Sequence, residues 1–440
     1  MTAPRHDPAS LIAFRVLFGL AMAFNVLRYE LEGWVHDLYI APAITFPYPG
    51  LEFIQPLGPV GMHMLFGVIG ISALGIAAGY RYRLSVALFF VSFTYVELID
   101  RTNYLNHYYL VSVLAALLFF MPLGNAGSLD ARRKSSAPIP RWPLRVLRLQ
   151  IGLVYVFAGA AKIREDWLLR AEPLGTWLAR YSDAPIVGPV MDEPWLAFAM
   201  SWAGMLFDLL VPFALLWKRT RALAFAAVIV FHLVTGLLFP IGIFPLLMTI
   251  AASLFLDPSW PRRFVKRIPT PSVAVKPSTL SRPALALLGV HFALQLLLPL
   301  RQHFYGGDRC WHEQGYRFAW NVMLMEKVGQ VDFLVRSERG ETTVHPREFL
   351  TPLQLRMVPT QPDLILSFAH YLRDRWNEEG RGEVEVRADA WASLNGRPGQ
   401  QLIDPEVDLS RVSDGFAPKA WIVPLRDRDE LPLRASSDGR

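Results

Sequence analysis

Long apolar runs dominate the first 300 residues, whereas residues 301–440 mix apolar and charged positions as globular domains do. Nine runs come near the roughly 17 to 25 residues that a helix needs to cross a bilayer. The fourth run begins with the polar Asn106 and His107, and the eighth is short and follows a tight turn at Pro240. The predicted spans are residues 10–27, 59–79, 84–100, 105–124, 144–162, 195–217, 220–239, 241–256 and 284–300.

The C-terminal part has the patterns of a mixed domain. Residues 331–335 and 383–388 alternate in polarity as strands do, and residues 364–376 have the spacing of an amphipathic helix. We therefore expect a mainly α fold in which a polytopic transmembrane helical domain of about nine spans, residues 1–300, precedes an extracytoplasmic α+β, strand-rich domain, residues 301–440. The second domain is a candidate for substrate binding. The Pro-rich stretch 268–283 predicts a cytoplasmic linker.

Basic residues occur in alternate loops between the predicted spans, and short cytoplasmic loops are enriched in such residues. With a cytoplasmic N-terminus and nine spans, residues 301–440 would lie on the outer face. The inner loops would then contain Arg81 and Arg83, then Arg132, Arg133, Lys134, Arg141 and Arg145, then Lys218, Arg219 and Arg221, and finally Arg262, Arg263, Lys266 and Arg267.

Composition supports a membrane protein, since 52% of the residues are hydrophobic and 19% are charged. The net charge of +6 comes from residues spread over loops, so we expect no nucleic-acid partner. The single cysteine, Cys310, excludes an intrachain disulfide, and no histidine pair has metal-ligand spacing, so we expect no metal. The lone cysteine and the absence of an Asn-x-Ser/Thr sequon favour a bacterial inner membrane.

Polar groups at membrane depth are the first candidates for chemistry. Asn106 and His107 begin a predicted span at the outer face, where a hydrogen-bonded helix cap is the structural alternative. Lys162 ends another span, and it could instead extend to the interface or pair with Glu165 or Asp166. A lysine removed from water favours its neutral amine, which can act as a general base. His232 lies in an apolar run, where a hydrogen-bonded core histidine is the alternative.

Seven short strings, in order along almost the whole chain, resemble the vitamin K-dependent γ-glutamyl carboxylases and their bacterial relatives in the horizontally transferred transmembrane group. Each string alone is weak, but the ordered set is specific for the family. The strings are Asp100-Arg101-Thr102 with Asn106-His107; 155–162 with Asp166-Trp167; Phe231-His232 with 241–244; 256–261; 318–323; 390–397; and 403–408.

The resemblance implies a membrane enzyme that couples oxygenation of vitamin K hydroquinone, or menaquinol, to its epoxide with carboxylation of a glutamate side chain. Oxygen and carbon dioxide would be co-substrates, and a glutamate-containing peptide or protein would be the partner. The family's base lysine falls on Lys162, with His107 as a second catalytic residue. Asn106, His107 and His232 would bind the quinone.

Three departures from the animal enzymes accompany this resemblance. Ala161 stands where they have the first of two adjacent lysines, which removes any auxiliary role of that amine. Cys310 alone cannot form the disulfide that joins their two domains. The animal enzymes hold a propeptide with the outer domain, and no feature of residues 301–440 indicates the same binding here.

Two other functions fit the sequence. A quinol epoxidase or quinone-linked redox protein would keep the quinone chemistry without carboxylation. A non-catalytic membrane receptor would use the helices as an anchor and the outer domain as a binding module. A requirement for a glutamyl peptide during quinol oxygenation distinguishes the carboxylase from the epoxidase.

Overall fold

A computed structural model of the chain describes residues 7–134, 138–265, 268 and 280–426. Its helices, in chain order, are α1 Ala9–Leu31, α2 Trp34–Tyr39, α3 Gly58–Ala78, α4 Tyr82–Ile99, α5 Asn106–Phe120, α6 Leu129–Lys134, α7 Trp142–Ala161, α8 Glu165–Leu169, α9 Leu174–Ala179, α10 Gly188–Met191, α11 Pro194–Leu216, α12 Arg221–Leu238, α13 Phe244–Ala252, α14 Arg282–Leu300, α15 Arg309–His312, α16 Pro352–Met357 and α17 Pro362–Glu378. Most of the predicted linker, residues 269–279, lies outside the described residues.

The chain forms two compact units. The first, here called the helical unit, comprises Met1–Ala41, Phe53–Ala160 and Leu206–Gln295. The second, the sheet unit, comprises Pro42–Glu52, Ala161–Met205 and Leu296–Arg440. Lys162 therefore belongs to the sheet unit, although it directly follows α7.

Seven described helices are long and apolar enough to cross a membrane, namely α1, α3, α4, α7, α11, α12 and α14 with its following turn. The predicted fourth and eighth spans are shorter apolar helices, Asn106–Phe120 and Phe244–Phe255. Helix α5 begins as predicted but ends at Phe120, before Met121 and Pro122, and the turn at Pro240 and Gly242 delays the start of α13. The predicted polytopic helical fold is confirmed, and its two least regular predicted spans are the two apolar helices that fall short of the length of the other seven.

A buried arginine fixes the loop that follows α5 in the helical unit. Arg15 of α1 donates hydrogen bonds to the carbonyls of Leu123, at 3.1 Å, and Gly127, at 2.6 Å. These bonds satisfy carbonyls that no helix pairs. Gly79, which ends α3 with φ of 63°, leaves the space that the Arg15 guanidinium occupies.

The sheet unit contains a four-stranded antiparallel sheet in the order β2-β1-β3-β4. The strands are β1 Lys327–Ser337, β2 Gly340–Val344, β3 Glu385–Leu394 and β4 Gln400–Gln401. Alternate β1 and β3 residues are buried, and α17 covers them, with the rings of Phe333 and Phe368 5.0 Å apart. The predicted strands and amphipathic helix are confirmed, whereas β2 and β4 were not predicted.

Gly79→Ala should destabilise the helical unit by about 1–3 kcal/mol, because a Cβ would overlap the Arg15 guanidinium and Ser128. Gly33→Ala is the matched control, since Gly33 has φ of 72° but no atom within 4 Å of a built Cβ. Thermal unfolding in detergent should give a lower midpoint for Gly79→Ala than for Gly33→Ala. Equal midpoints would show that backbone strain alone acts at Gly79.

Candidate functional site

Two histidines of the helical unit lie against one aromatic ring. His107 is the second residue of α5 and His232 lies in α12, and both side chains are buried. The centroid of the Phe244 ring, at the start of α13, is 5.8 Å from that of His107 and 5.7 Å from that of His232. The structure thus brings together two residues that are 125 positions apart (232 − 107) in the sequence.

Each of these imidazoles keeps a nitrogen without a hydrogen-bond partner among the described residues. Nε2 of His232 lies 2.9 Å from the Tyr155 hydroxyl of α7, whereas its Nδ1 has no such partner. Nε2 of His107 also has no hydrogen-bond partner among the described residues. Buried polar groups are nearly always paired, so two unpaired nitrogens beside one ring indicate a place for a ligand. If His232 were only a hydrogen-bonded core histidine, both of its ring nitrogens should have partners, but only Nε2 has one.

Gly242 leaves room beside His107. Its φ is 59°, and a Cβ built there would lie 3.9 Å from His107 Nε2 and 4.0 Å from an Arg28 terminal nitrogen. The Arg28 guanidinium also lies 5.0 Å from the centroid of the Trp34 ring. An imidazole nitrogen and a guanidinium nitrogen therefore border this space, and both can bind the oxygens of a polar ligand.

Asn106 stands next to His107 at the start of α5, and its side-chain carbonyl accepts a hydrogen bond from the Tyr104 hydroxyl at 3.0 Å. The cap that the sequence offered as an alternative belongs to Asp100 instead. This carboxylate accepts bonds from the backbone and hydroxyl of Thr102, at 2.8 and 2.7 Å, and so caps a short 3-10 helix.

Lys162 lies in the sheet unit and is 4% exposed. Its Nζ is 5.4 Å from the centroid of the Trp167 ring, within the range of a cation–π contact. The Trp167 indole donates to the backbone carbonyl of Ser201 at 2.8 Å, which fixes the ring beneath the amine. The Lys162 side chain is therefore buried within the protein.

Two side chains near His232 were not singled out from the sequence. The Tyr155 hydroxyl lies 2.9 Å from Nε2 of His232, and Asp208 of α11 is buried. Asp208 is an acidic residue inside the predicted span 195–217, and an ionisable residue there is a functional signal in itself. The Tyr155 contact depends on helix packing and has no local sequence signal.

Two family models match most of the chain. The HTTM domain model matches residues 4–260, and the model of the vitamin K-dependent gamma-carboxylase lumenal domain matches residues 280–428. No solved structure matches the chain. The HTTM match covers more than half of the chain, so this is an integral membrane protein that belongs to the HTTM family. With the second match, it is assigned to the vitamin K-dependent gamma-carboxylase family within that class, as the sequence strings predicted.

Tyr155→Phe should destabilise the helical unit by about 1 kcal/mol, because it leaves a buried nitrogen of His232 without its partner. Tyr95→Phe is the control, since the Tyr95 hydroxyl donates to Gln55 at an exposed position. Denaturant unfolding in mixed micelles measures both changes. A Tyr155→Phe effect no larger than that of Tyr95→Phe would contradict a structural hydrogen bond to His232.

Proposed function

We propose that this protein is a membrane enzyme of the vitamin K-dependent carboxylase type, which couples oxygenation of a reduced quinone to carboxylation of a glutamate side chain. The observation that carries the proposal is the pair of unpaired imidazole nitrogens, His107 Nε2 and His232 Nδ1, around Phe244. A quinol has two ring oxygens and a flat ring, which match that set of groups. The family assignment adds independent support.

In this proposal the quinone site lies in the helical unit. His107 Nε2 and His232 Nδ1 would bind ring oxygens, Asn106 would support His107, and Phe244 would stack on the ring. Reduced vitamin K or menaquinol, when bound, would supply the strong base that its reaction with oxygen generates and that removes a γ-proton from glutamate. The apolar surroundings of His107 would exclude water, which would otherwise reprotonate the glutamate carbon.

Lys162 would act as the general base that starts the reaction. It would accept a proton in the first step of the reaction, which is the role that the family resemblance gives to this lysine. His107 would orient the hydroquinone. The support in the structure is that Lys162 is buried, with its Nζ over the Trp167 ring. Ala161 provides no second amine at this place, so the reaction would depend on Lys162 alone.

The proposed location is a bacterial inner membrane, with a cytoplasmic N-terminus and residues 301–440 on the outer face. The support is the alternation of basic residues between the apolar helices. Arg81 precedes α4, Arg83 lies in its first turn, and Lys218 and Arg219 lie between α11 and α12. A quinone with an isoprenoid tail would enter from the bilayer, and a glutamyl peptide would come from the aqueous side.

Lys162→Ala should lower the rate of quinone epoxide formation by about 10²- to 10⁴-fold, the range typical for loss of a general base. The assay uses the purified protein with reduced vitamin K, oxygen, labelled bicarbonate and a short glutamyl peptide. Lys218→Ala, at an exposed loop lysine, is the matched control and should retain activity. Full epoxide formation by Lys162→Ala would contradict the assigned role.

The same assay separates the alternative functions. Label in the peptide together with epoxide supports the carboxylase. Epoxide without label would favour a quinol epoxidase, and neither product from the wild-type protein would favour a receptor.

Gly242→Ala should weaken binding of a reduced-quinone analogue about tenfold, because its methyl group would enter the space beside His107 Nε2. Gly58→Ala controls for the backbone strain, since Gly58 has φ of 74° and no atom within 4 Å of a built Cβ. Quinone-site fluorescence quenching in nanodiscs measures the dissociation constant of each variant. Unchanged binding by Gly242→Ala would place the quinone elsewhere.

A further inference from the structure

The chain segment around Lys162 is bound on both sides by residues that come much later in the sheet unit. Arg309 donates to the backbone carbonyl of Ala161 at 2.8 Å, directly before the lysine. Arg164, two residues after the lysine, pairs with the Asp308 carboxylate and also contacts the Cys310 sulfur. Residues 308–310 thus bind the backbone just before Lys162 and the side chain of Arg164 just after it.

A second set of contacts holds Asp166, which lies in the first turn of α8. Arg397 binds both carboxylate oxygens with its two terminal nitrogens, at 2.7 and 2.8 Å, and Asn395 donates to one of them at 2.9 Å. The ion pair is nearly closed to solvent, with side chains 9% and 5% exposed. Burial alone would raise the pKa of Asp166. The hydrogen bonds from Arg397 and Asn395, together with the positive charge of Arg397, outweigh burial and hold this pKa below its usual value.

A tight turn presents Arg397 to Asp166. Asn395 and Gly396, with φ of 50° and 70°, are the central residues, and the Arg397 amide donates to the Leu394 carbonyl at 3.1 Å. Asn-Gly is the preferred pair for a turn with two left-handed residues at the end of a strand. The turn therefore fixes the direction in which the Arg397 side chain extends after the end of β3.

The contact with Lys162 passes through the next residue, Trp167. Its indole ring lies under Lys162 Nζ, and its N–H is bound to Ser201. Because Asp166 and Trp167 are adjacent in one short helix, a fixed Asp166 fixes the backbone from which the Trp167 ring extends. Bidentate Arg–carboxylate pairs restrict geometry in this way more strongly than a lysine contact can.

We propose that Arg397 is a positioning residue, which holds the Lys162 amine in place through Asp166 and the Trp167 ring. This proposal deepens the proposed function and rests on it for the role of Lys162. It assigns the C-terminal sequence of the sheet unit a task besides any binding of a glutamyl substrate. That task is to keep the amine buried and correctly directed.

The test measures the chemical accessibility of the Lys162 amine in the full-length protein in nanodiscs. Reductive methylation with formaldehyde and cyanoborohydride is followed by peptide mass spectrometry, and the initial rate at Lys162 is divided by that at the exposed Lys218 of the same sample. Arg397→Lys keeps a cation beside Asp166 but loses the planar fork, and Arg397→Gln removes the charge. Arg387→Gln is the matched control, since Arg387 pairs with Glu406 and Glu385 at a more exposed position.

We expect the methylation ratio to rise at least about tenfold in both Arg397 variants, because a segment released from a buried pair opens more often. The ratio should stay at the wild-type value in Arg387→Gln. A wild-type ratio in Arg397→Lys with a normal unfolding midpoint would overturn the proposal. A lower midpoint with an unchanged ratio below the transition would also overturn it, since that result defines a purely structural arginine.

The labelling experiment needs no turnover, so it separates this proposal from the proposed function. If the wild-type protein forms no epoxide, the methylation ratios still decide whether Arg397 positions Lys162. If the protein is active, the Arg397 variants should lower kcat for epoxide formation while the KM for quinone is retained. A change in KM alone would count against positioning of the base.

Discussion

Polar groups inside a bilayer must find partners within the protein, and this constraint organises the helical unit. His291 and Gln150 form one such pair at 2.8 Å, and Gln150 then donates to Gln295 at 3.0 Å. Gln295 in turn donates to the Tyr109 hydroxyl at 2.8 Å, so that α14, α7 and α5 are joined by side chains. His107 Nε2 and His232 Nδ1 are among the few buried polar atoms of the described residues that have no such partner.

The sheet unit contains buried ion pairs, most of which use arginine, while Lys327 pairs with Glu313 at 3.0 Å. Arg164 and Arg397 both hold carboxylates beside the Lys162 segment. A charge removed from water is tolerated only with such a partner. Cys310 lies in the same cluster, and burial raises the pKa of its thiol to about 11 despite the nearby Arg164. This cysteine therefore stays protonated at neutral pH.

Periodicity and turn chemistry predicted the local elements well. The apolar runs correspond to nine helices, and the two runs that departed most from the pattern became α5 and the helix that begins at Phe244. Residues 331–335, 364–376 and 383–388 fall within, or largely within, β1, α17 and β3. Strand β2 was missed because its four exposed residues offer no alternating pattern.

The contacts between residues that are far apart in the sequence could not be predicted from the sequence. Asp166 and Arg397 are separated by 231 positions, and Tyr155 and His232 by 77. No local period encodes such pairs, because they arise only when packed elements meet. The boundary at residue 300 stays a prediction, and the compact units group Pro42–Glu52 and Ala161–Met205 with the C-terminal sequence. The roles of Lys162, His107, Asn106 and His232 likewise stay proposals.

The most direct measurement of the central claim is release of tritium from a peptide labelled at the γ-carbon of glutamate. The purified protein is incubated with this peptide, oxygen and a reduced quinone, and tritium in water is compared with epoxide formed. If quinone oxygenation is coupled to proton removal from glutamate, tritium release should require both quinol and oxygen and should rise in proportion to the epoxide formed. Epoxide formation with no tritium release would contradict the coupling of quinone oxygenation to proton removal from glutamate.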